Sequence, residues 1–190
     1  MVSSLGFSAL AAMAVASYAP PPKADPNNLS KAVHEMIAGQ KPFIGKAGAP
    51  VTVVGYIDYE CPACRKRFEA VVQQAAKDPK VAVYVEQMPL PLHPKFAAVA
   101  AMLALEAEQK GEFAQVHNAL LSGKELTKET LEDVAKTYGL PLKPTASATQ
   151  ELAREKQNFL KGGLSFVPVF VIADALSAKV YTANEAIARL

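Results

Sequence analysis

The chain has 190 residues, of which 51% are hydrophobic and 20% are charged, a balance typical of a folded globular protein and not of a disordered or fibrous one. Its 20 basic and 18 acidic residues leave a formal net charge of +2, which is too small to favour a nucleic-acid-binding protein on electrostatic grounds. The sequence contains two cysteines, so it offers no second pair for a structural disulfide and no cysteine-rich metal site.

The first 22 residues carry no charge and are typical of an export signal or a membrane tether. Leu5 to Ala16 is an apolar run of the length of a signal-peptide core, and small residues such as Ser17 and Ala19 suit a signal peptidase. Pro20 to Pro22 then predicts a stiff, extended spacer. We therefore expect a periplasmic or other extracytoplasmic protein, with a retained N-terminal tether as the alternative to cleavage.

Hydrophobic periodicity predicts an α/β fold. The β-branched run 51–57 indicates a buried strand and the run 81–88 a second one, and the helix between them predicts a parallel pair joined by a right-handed crossover. In chain order, the predicted elements are a helix at 29–38, a strand at 51–57, a helix at 62–77, a strand at 81–88, helices at about 96–110, 113–121, 128–138 and 147–160, strands at 166–172 and 179–181, and a short last helix after Thr182. Thr127 and Thr182 are predicted helix caps, and Ser147 with Gln150 forms a capping-box pattern.

The strongest chemical signal is the segment Cys61-Pro62-Ala63-Cys64, at the junction of the first strand and the next helix. Pro62 suits the first helical turn, which places Cys61 at or near the N-cap and on the surface, where free backbone N–H groups and the helix dipole favour a thiolate. Cys64 lies one turn later on the apolar face of the helix, so we expect its sulfur to be the more buried. An exposed attacking thiolate with a protected partner is the arrangement that thiol–disulfide exchange requires.

The same spacing is also found in half of a zinc site and in inert core pairs. The other strong candidate ligands are His34, His93 and His117, which are far apart in the sequence and not paired. We therefore predict no metal site and favour redox chemistry at the dithiol.

Pro168 lies inside a β-branched run, next to Val167. Because proline cannot donate a backbone hydrogen bond, proline within a strand is confined to edges, bulges or cis peptide bonds. Together with the dithiol, it favours a cis bond between Val167 and Pro168, facing the cysteines and exposing backbone to which a substrate strand can pair.

Residues 43–181 resemble the DsbA-like branch of the thioredoxin superfamily. The resemblance rests on Asp58-Tyr59-Glu60-Cys61-Pro62-Ala63-Cys64-Arg65, on Pro89-Leu90-Pro91-Leu92-His93 before an Ala-rich helix, and on Val167-Pro168. It implies a thioredoxin-like α/β fold, a central mixed sheet flanked by helices, with an inserted all-helical subdomain. The implied units are a signal-like or tethering segment with its Pro spacer (1–22), an N-terminal helix and linker (23–42), the first half of the thioredoxin fold (43–92), the helical insertion (93–161) and the second half (162–190).

By this resemblance, Cys61 is the attacking cysteine and Cys64 the resolving one. The active-site loops that contact substrate are implied to consist of Pro62, Ala63, Val167 and Pro168. No metal and no organic cofactor are implied, because the Cys61–Cys64 disulfide itself is the redox group. The implied partners are unfolded or thiol-bearing exported proteins and a membrane redox protein that reoxidises or reduces the dithiol, with no nucleic acid.

Two positions depart from the pattern of the family. Ala63 stands where the best-known oxidases have a histidine, and Gly55 stands where relatives often keep a buried acid. Proton transfer from Cys64 is therefore expected to need water or another group.

Several charged residues surround the dithiol in the sequence. Asp58 and Glu60 are near enough to oppose the thiolate, whereas Arg65 is expected either to stabilise it or to be solvated. His93 is expected to position the start of a helix, and His117 is expected to be structural.

We therefore predict an exported thiol–disulfide oxidoreductase that forms disulfides in secreted or periplasmic proteins. One alternative is a disulfide reductase or isomerase with the same dithiol, in which residues 29–38 would serve as an oligomerisation helix. The other is a non-catalytic module that binds clients or a metal.

Overall fold

The computed structural model describes residues 26–190, so the predicted signal or tether at 1–22 lies outside the described residues. Its elements are α1 (Pro26–Met36), β1 (Val51–Ile57), α2 (Pro62–Ala75), β2 (Val81–Gln87), α3 (Ala97–Lys110), α4 (Phe113–Leu121), α5 (Lys128–Thr137), α6 (Ala146–Lys161), β3 (Val169–Ala173), β4 (Ala178–Thr182) and α7 (Ala183–Arg189). This order of helices and strands is the predicted one. Within the described part of the chain, no helix has the length and apolar character that crossing a membrane would need.

The four strands form one mixed sheet in the order β2-β1-β3-β4. β1 and β2 are parallel, with Val51 opposite Val81, and β3 is antiparallel to both β1 and β4. Helices cover both faces, which is why β2 is buried along its whole length and both parallel strands are rich in valine. The sheet confirms the predicted thioredoxin-like α/β class.

The free edge of β2 is partly covered by the chain that precedes β1. Phe43 N donates to Val83 O at 2.7 Å and Val83 N donates to Ile44 O at 2.9 Å. Gly45 makes this approach possible: its φ is +82°, and a Cβ there would lie 2.2 Å from Val81 O. The covered edge is less available for pairing with another chain.

Helix α1 packs on the sheet against β3, β4 and α6. Leu29, Val33 and Met36 are its buried residues. The apolar face that an oligomerisation helix would present is therefore already buried within this chain.

The inserted helices form a compact group, in which α3 packs against α4, α5 and α6 while α6 also contacts β2. Thr127 caps α5 and Thr182 caps α7 with a complete capping box, as predicted. The capping box predicted at Ser147 is wrong, because Thr145 is the N-cap of α6 and accepts a hydrogen bond from Ala148 N. The Ser147 hydroxyl instead accepts from Gln109 Nε2 on α3 at 2.9 Å.

Candidate active site

The dithiol lies at the junction between β1 and α2. Cys61 is the N-cap of α2 with extended backbone angles (φ −71°, ψ 120°), and Pro62 occupies the start of the helix, where no N–H donor is needed. Cys64 follows one turn later, and both cysteines are free thiols.

Both sulfur-bearing side chains are more enclosed than the sequence suggests. Cys64 is 0% exposed and Cys61 is 7% exposed. Cys64 is thus the more buried, as expected, but the prediction that Cys61 lies on the surface is wrong. The reason is the loop before β3, which packs over Cys61 and brings Val167 O to 4.0 Å from its Sγ.

The Val167–Pro168 peptide bond is cis, and it immediately precedes β3. It therefore lies beside Cys61, although the two are more than 100 residues apart in the chain. A hollow of about 300 Å³ adjoins this loop and is lined by Arg67, Phe166, Val167, Pro168 and the start of α7. Of the four predicted loop residues, Pro62 and Ala63 are exposed at the start of α2, whereas Val167 and Pro168 are buried and line the hollow.

The pKa of Cys61 is lowered to about 6. The main cause is a hydrogen bond from the Cys64 thiol, with smaller contributions from the backbone N–H groups of Cys64 and Ala63 and from the charge of His93, all opposed by burial. A thiol with this pKa is largely a thiolate at neutral pH, which is the nucleophilic form.

The pKa of Cys64 is raised far above its ordinary value. Its hydrogen bond to Cys61 is the main cause, followed by burial and by the negative charges of Cys61 and Asp58, while the Asp58 backbone N–H opposes the rise. That N–H donates to Cys64 Sγ at 3.5 Å. One sulfur is therefore prepared as a thiolate and the other is held as a thiol.

Asp58 is buried below the dithiol and accepts three hydrogen bonds. Its Oδ1 accepts from Glu60 N at 2.8 Å, and its Oδ2 accepts from Leu90 N at 2.8 Å and from His93 Nδ1 at 2.7 Å. The ring of His93, which was expected to position the start of a helix, is bonded to Asp58. The sequence could not reveal this pair, because 35 residues separate its members.

Glu60, which was expected to oppose the thiolate, bonds the first N–H groups of α3. Its Oε2 accepts from Phe96 N at 2.9 Å and from Ala97 N at 3.0 Å, at the beginning of α3. A carboxylate at a helix N-terminus is stabilised by the free N–H groups and by the dipole. The carboxylate of Glu60 therefore binds the N-terminus of α3, the first helix of the insertion.

Arg65 is half-buried, and it is not among the groups that lower the pKa of Cys61. Its Nη1 donates to Tyr59 O at 3.0 Å and to Leu120 O at 2.7 Å, and its Nη2 donates to Ser122 O and Gly123 O. The guanidinium group satisfies carbonyls at the C-terminal end of α4, where the dipole favours a cation.

His117 is fully buried, and its role is structural, as expected. Its Nδ1 lies 2.7 Å from Tyr59 Oη, and its ring packs against Phe43, Phe68 and Phe113. Burial lowers the pKa of His117 to about 4, so the ring is neutral near pH 7. This cluster joins the active-site turn to the inserted helix α4.

A sequence model described as thioredoxin matches residues 38–186. The chain belongs to this thioredoxin family. Membership of this family, with the dithiol at the N-terminus of α2, supports thiol–disulfide exchange as the chemistry of this site.

Solved structures share the fold of this thioredoxin-family chain. The catalytic domain of Proteus mirabilis ScsC covers 86% of this chain and 99% of its own length, at 22% identity and a TM-score of 0.69. The thiol-disulfide exchange protein alpha-DsbA2 of Wolbachia pipientis covers 86% and 92%, at 22% identity and a TM-score of 0.65. A periplasmic thioredoxin-like protein of Salmonella enterica serovar Typhimurium covers 83% and 94%, at 22% identity and a TM-score of 0.66. The fold is thus of the DsbA and ScsC type.

Two curated relatives match a shorter part of the chain. They are the Na(+)/H(+) antiporters NhaA 3 of Salinispora tropica and NhaA 1 of Salinispora arenicola, each 38% identical over 79 residues, or 41% of this chain. The matched part is 12% of each antiporter. Ion transport by those proteins is therefore not carried over to this chain.

The two departures from the family pattern have different structural consequences. Ala63 is exposed beside the dithiol, so a larger side chain would have room there. At Gly55 a Cβ would lie 2.8 Å from Phe68 Cζ and 2.9 Å from Phe170 Cε1. An acid at position 55 is therefore incompatible with the present packing of the two rings.

Proposed function

We propose that this chain is an exported oxidase, which introduces disulfides into secreted or periplasmic proteins through Cys61 and Cys64. The observation that supports it most is the lowered pKa of Cys61. Stabilising this thiolate favours the reduced form of the dithiol, and the oxidised enzyme then gives up its disulfide more readily.

The proposed reaction begins with the Cys61–Cys64 disulfide. A substrate thiolate attacks Cys61 Sγ, the Cys61–Cys64 bond breaks, and Cys64 leaves as a thiolate that gains a proton. A second substrate thiolate then attacks the substrate sulfur of the mixed disulfide, and Cys61 leaves as a thiolate. The substrate has lost two electrons and the dithiol has gained them, so a membrane redox partner must reoxidise it. No metal or organic cofactor takes part in this scheme.

The reduction potential tests the direction of the reaction. After equilibration with glutathione, we expect a value above about −200 mV, on the side of DsbA and not near the value of about −270 mV for thioredoxin. In the same buffer, the oxidised protein should introduce disulfides into a reduced, unfolded protein, and Cys61→Ala should not. A value near that of thioredoxin would contradict the oxidase proposal while leaving the dithiol chemistry intact.

A disulfide reductase or isomerase is the second candidate, favoured by one observation. Ala63 provides no positive charge between the cysteines, so the Cys61 thiolate depends on hydrogen bonds and on the more distant His93. The potential distinguishes this candidate from the oxidase. A module that only binds clients or a metal would still bind its ligand but would show no disulfide exchange.

Export is part of the proposal and rests on the apolar, uncharged residues 1–22. It is consistent with the shared fold of the periplasmic Salmonella protein. Cell fractionation followed by N-terminal sequencing of the recovered protein tests it. A cleaved chain in an extracytoplasmic fraction supports a signal peptide, an intact membrane-bound chain supports a tether, and an intact chain in the cytosol contradicts export.

A further inference from the structure

The resolving cysteine, Cys64, must exchange a proton during the reaction although its sulfur is buried. Cys64 is 0% exposed, and its pKa is raised, so its thiol proton must be removed when it attacks a mixed disulfide and returned when it leaves. Solvent has no direct contact with this sulfur. The acid that relatives often keep near it has no room in this chain, because Gly55 is enclosed by Phe68 and Phe170.

A different acidic residue, Asp58, lies in the turn that contacts Cys64. The backbone N–H of Asp58 donates to Cys64 Sγ at 3.5 Å, and the Asp58 side chain is buried in the same turn. Its Oδ2 is 2.7 Å from His93 Nδ1. The side chain of His93 is 16% exposed, whereas that of Asp58 is 0% exposed, so the pair leads from the buried sulfur to solvent.

The other ionisable side chains near this turn form hydrogen bonds with other parts of the chain. Glu60 caps α3, and Arg65 on α2 binds the carbonyls at the end of α4. Tyr59 and His117 are bonded to each other inside an aromatic cluster, which keeps His117 away from proton exchange with solvent. Asp58 and His93 are therefore the groups in position to exchange a proton with Cys64.

We propose that Asp58 and His93 form the proton path of Cys64. The backbone N–H of Asp58 contacts the reacting sulfur, and its buried carboxylate lies near enough for its charge to act on Cys64. His93 orients that carboxylate and connects it with solvent. The inference rests on the dithiol chemistry of the proposed function and holds for either direction of it.

Cys64 gives up its proton in one direction of the exchange and regains it in the other. When Cys64 attacks the mixed disulfide, the Cys64–Cys61 bond forms, the bond from Cys61 to the substrate sulfur breaks, and the substrate leaves with the electron pair. The proton of the Cys64 thiol passes to the Asp58–His93 pair. When a substrate thiolate opens the Cys61–Cys64 disulfide, the same pair returns a proton to the Cys64 thiolate.

Rapid-quench kinetics separate this step from the first attack. Reduced protein is mixed with glutathione disulfide, and the mixed disulfide and the closed disulfide are counted by mass over time. We expect Asp58→Asn and His93→Gln to slow closure by Cys64 about tenfold or more at pH 7, and to change the first attack by Cys61 much less. His34→Gln is the matched control, because His34 is exposed on α1 and bonds Ser30 O.

Chemical rescue excludes a purely structural explanation. Imidazole added to His93→Ala should restore closure in proportion to its basic form, and the pH dependence of closure should follow the added base. Equal slowing of both steps, no slowing of closure, or no rescue would each overturn the inference. Should the wild-type protein form no mixed disulfide, or never close it, the proposed function fails instead.

Discussion

Ala63 is the residue at which a single change should tune the chemistry most directly. It lies exposed between the two cysteines and supplies only its backbone N–H to the Cys61 thiolate. A histidine there would add a positive charge close to the sulfur. We expect Ala63→His to lower the pKa of Cys61 and to raise the reduction potential by about 30 mV for each tenfold gain in thiolate stability.

Absorbance of the thiolate near 240 nm, followed against pH, measures the first effect, and equilibration with glutathione measures the second. Ala63→Gln is the control of similar size without the charge. If the potential stays constant while the pKa falls, stabilisation of the thiolate does not set the redox direction in this protein.

Gly55 contributes to stability, because the packing around it leaves no room for a side chain. A Cβ at this position meets Phe68 and Phe170 at less than 3.0 Å, and both rings are fully buried. We expect Gly55→Ala to reduce the free energy of unfolding by about 1–3 kcal/mol, because the rings must move out of a packed core. Urea unfolding measures it, with Gly48→Ala as a comparison: that glycine has open space around it but a positive φ.

At this scale, the sequence predicted residue types better than their contacts. The dithiol, its unequal burial and the proline loop follow from local spacing and helix geometry. Three contacts join segments that are 35 to 106 residues apart. They are the packing of the Val167 loop over Cys61, the Asp58–His93 hydrogen bond and the binding of Arg65 to the end of α4. Such contacts have no local signal, because they form only when segments distant in the sequence pack together.

Between elements, Arg65 joins α2 to α4 by hydrogen bonds. Its guanidinium group donates to four carbonyls, of which those of Leu120, Ser122 and Gly123 belong to the end of α4 and the turn after it. An ammonium group cannot reach this spread of acceptors. We expect Arg65→Lys to lower the free energy of unfolding by about 1–3 kcal/mol, since partly buried carbonyls lose their donor.

Chemical denaturation measures this loss, and Lys66→Arg is the matched control on the exposed side of α2. The reduction potential should change little, because Arg65 is not among the groups that lower the pKa of Cys61. A large change of potential without a change of stability would show that Arg65 acts on the thiolate after all.

Helix ends show how far pattern reasoning extends at the scale of elements. Thr127 was predicted correctly as a cap because it precedes a clear apolar stripe, and Thr182 because Glu185 follows it at the spacing of a capping box. For α6 the pattern Ser147 to Gln150 was misleading, because Thr145 lies two residues earlier and adopts the extended conformation that a cap needs. Two competing caps in one stretch cannot be ranked without the tertiary contact of Ser147 with Gln109.

The order of elements and the class of fold were predictable for the whole molecule, since buried parallel strands, a crossover helix and a late strand pair all have strong local patterns. Buried charge was not predictable. Glu86 on β2 and Glu155 on α6 are 0% and 1% exposed. Glu86 accepts from Gln40 Nε2 at 2.8 Å, and Glu155 accepts from Gln87 N at 2.7 Å. Neither glutamate differs in its sequence pattern from a solvated one.

These buried acids should make the protein more stable in mild acid. Burial raises the pKa of Glu86 to about 7, against an ordinary value of 4.5, although Arg154 and Gln40 oppose the rise. The folded state therefore binds more protons than the unfolded state between these two values, so stability falls as pH rises from about 4.5 to 7 and stays lower above that. His117 acts in the opposite sense, since its lowered pKa of about 4 makes stability rise with pH up to 6.5.

Glu86→Gln separates the two effects, because the amide keeps the hydrogen-bonding shape without the charge. We expect the variant to be more stable than the wild type at pH 8, to match it more closely at pH 5, and to retain the rise with pH that belongs to His117. Urea unfolding between pH 4.5 and 8 measures this, with the exposed Glu132→Gln as the control. A constant stability difference across the whole range would mean that Glu86 is already charged in the folded protein, with its burial compensated by Arg154.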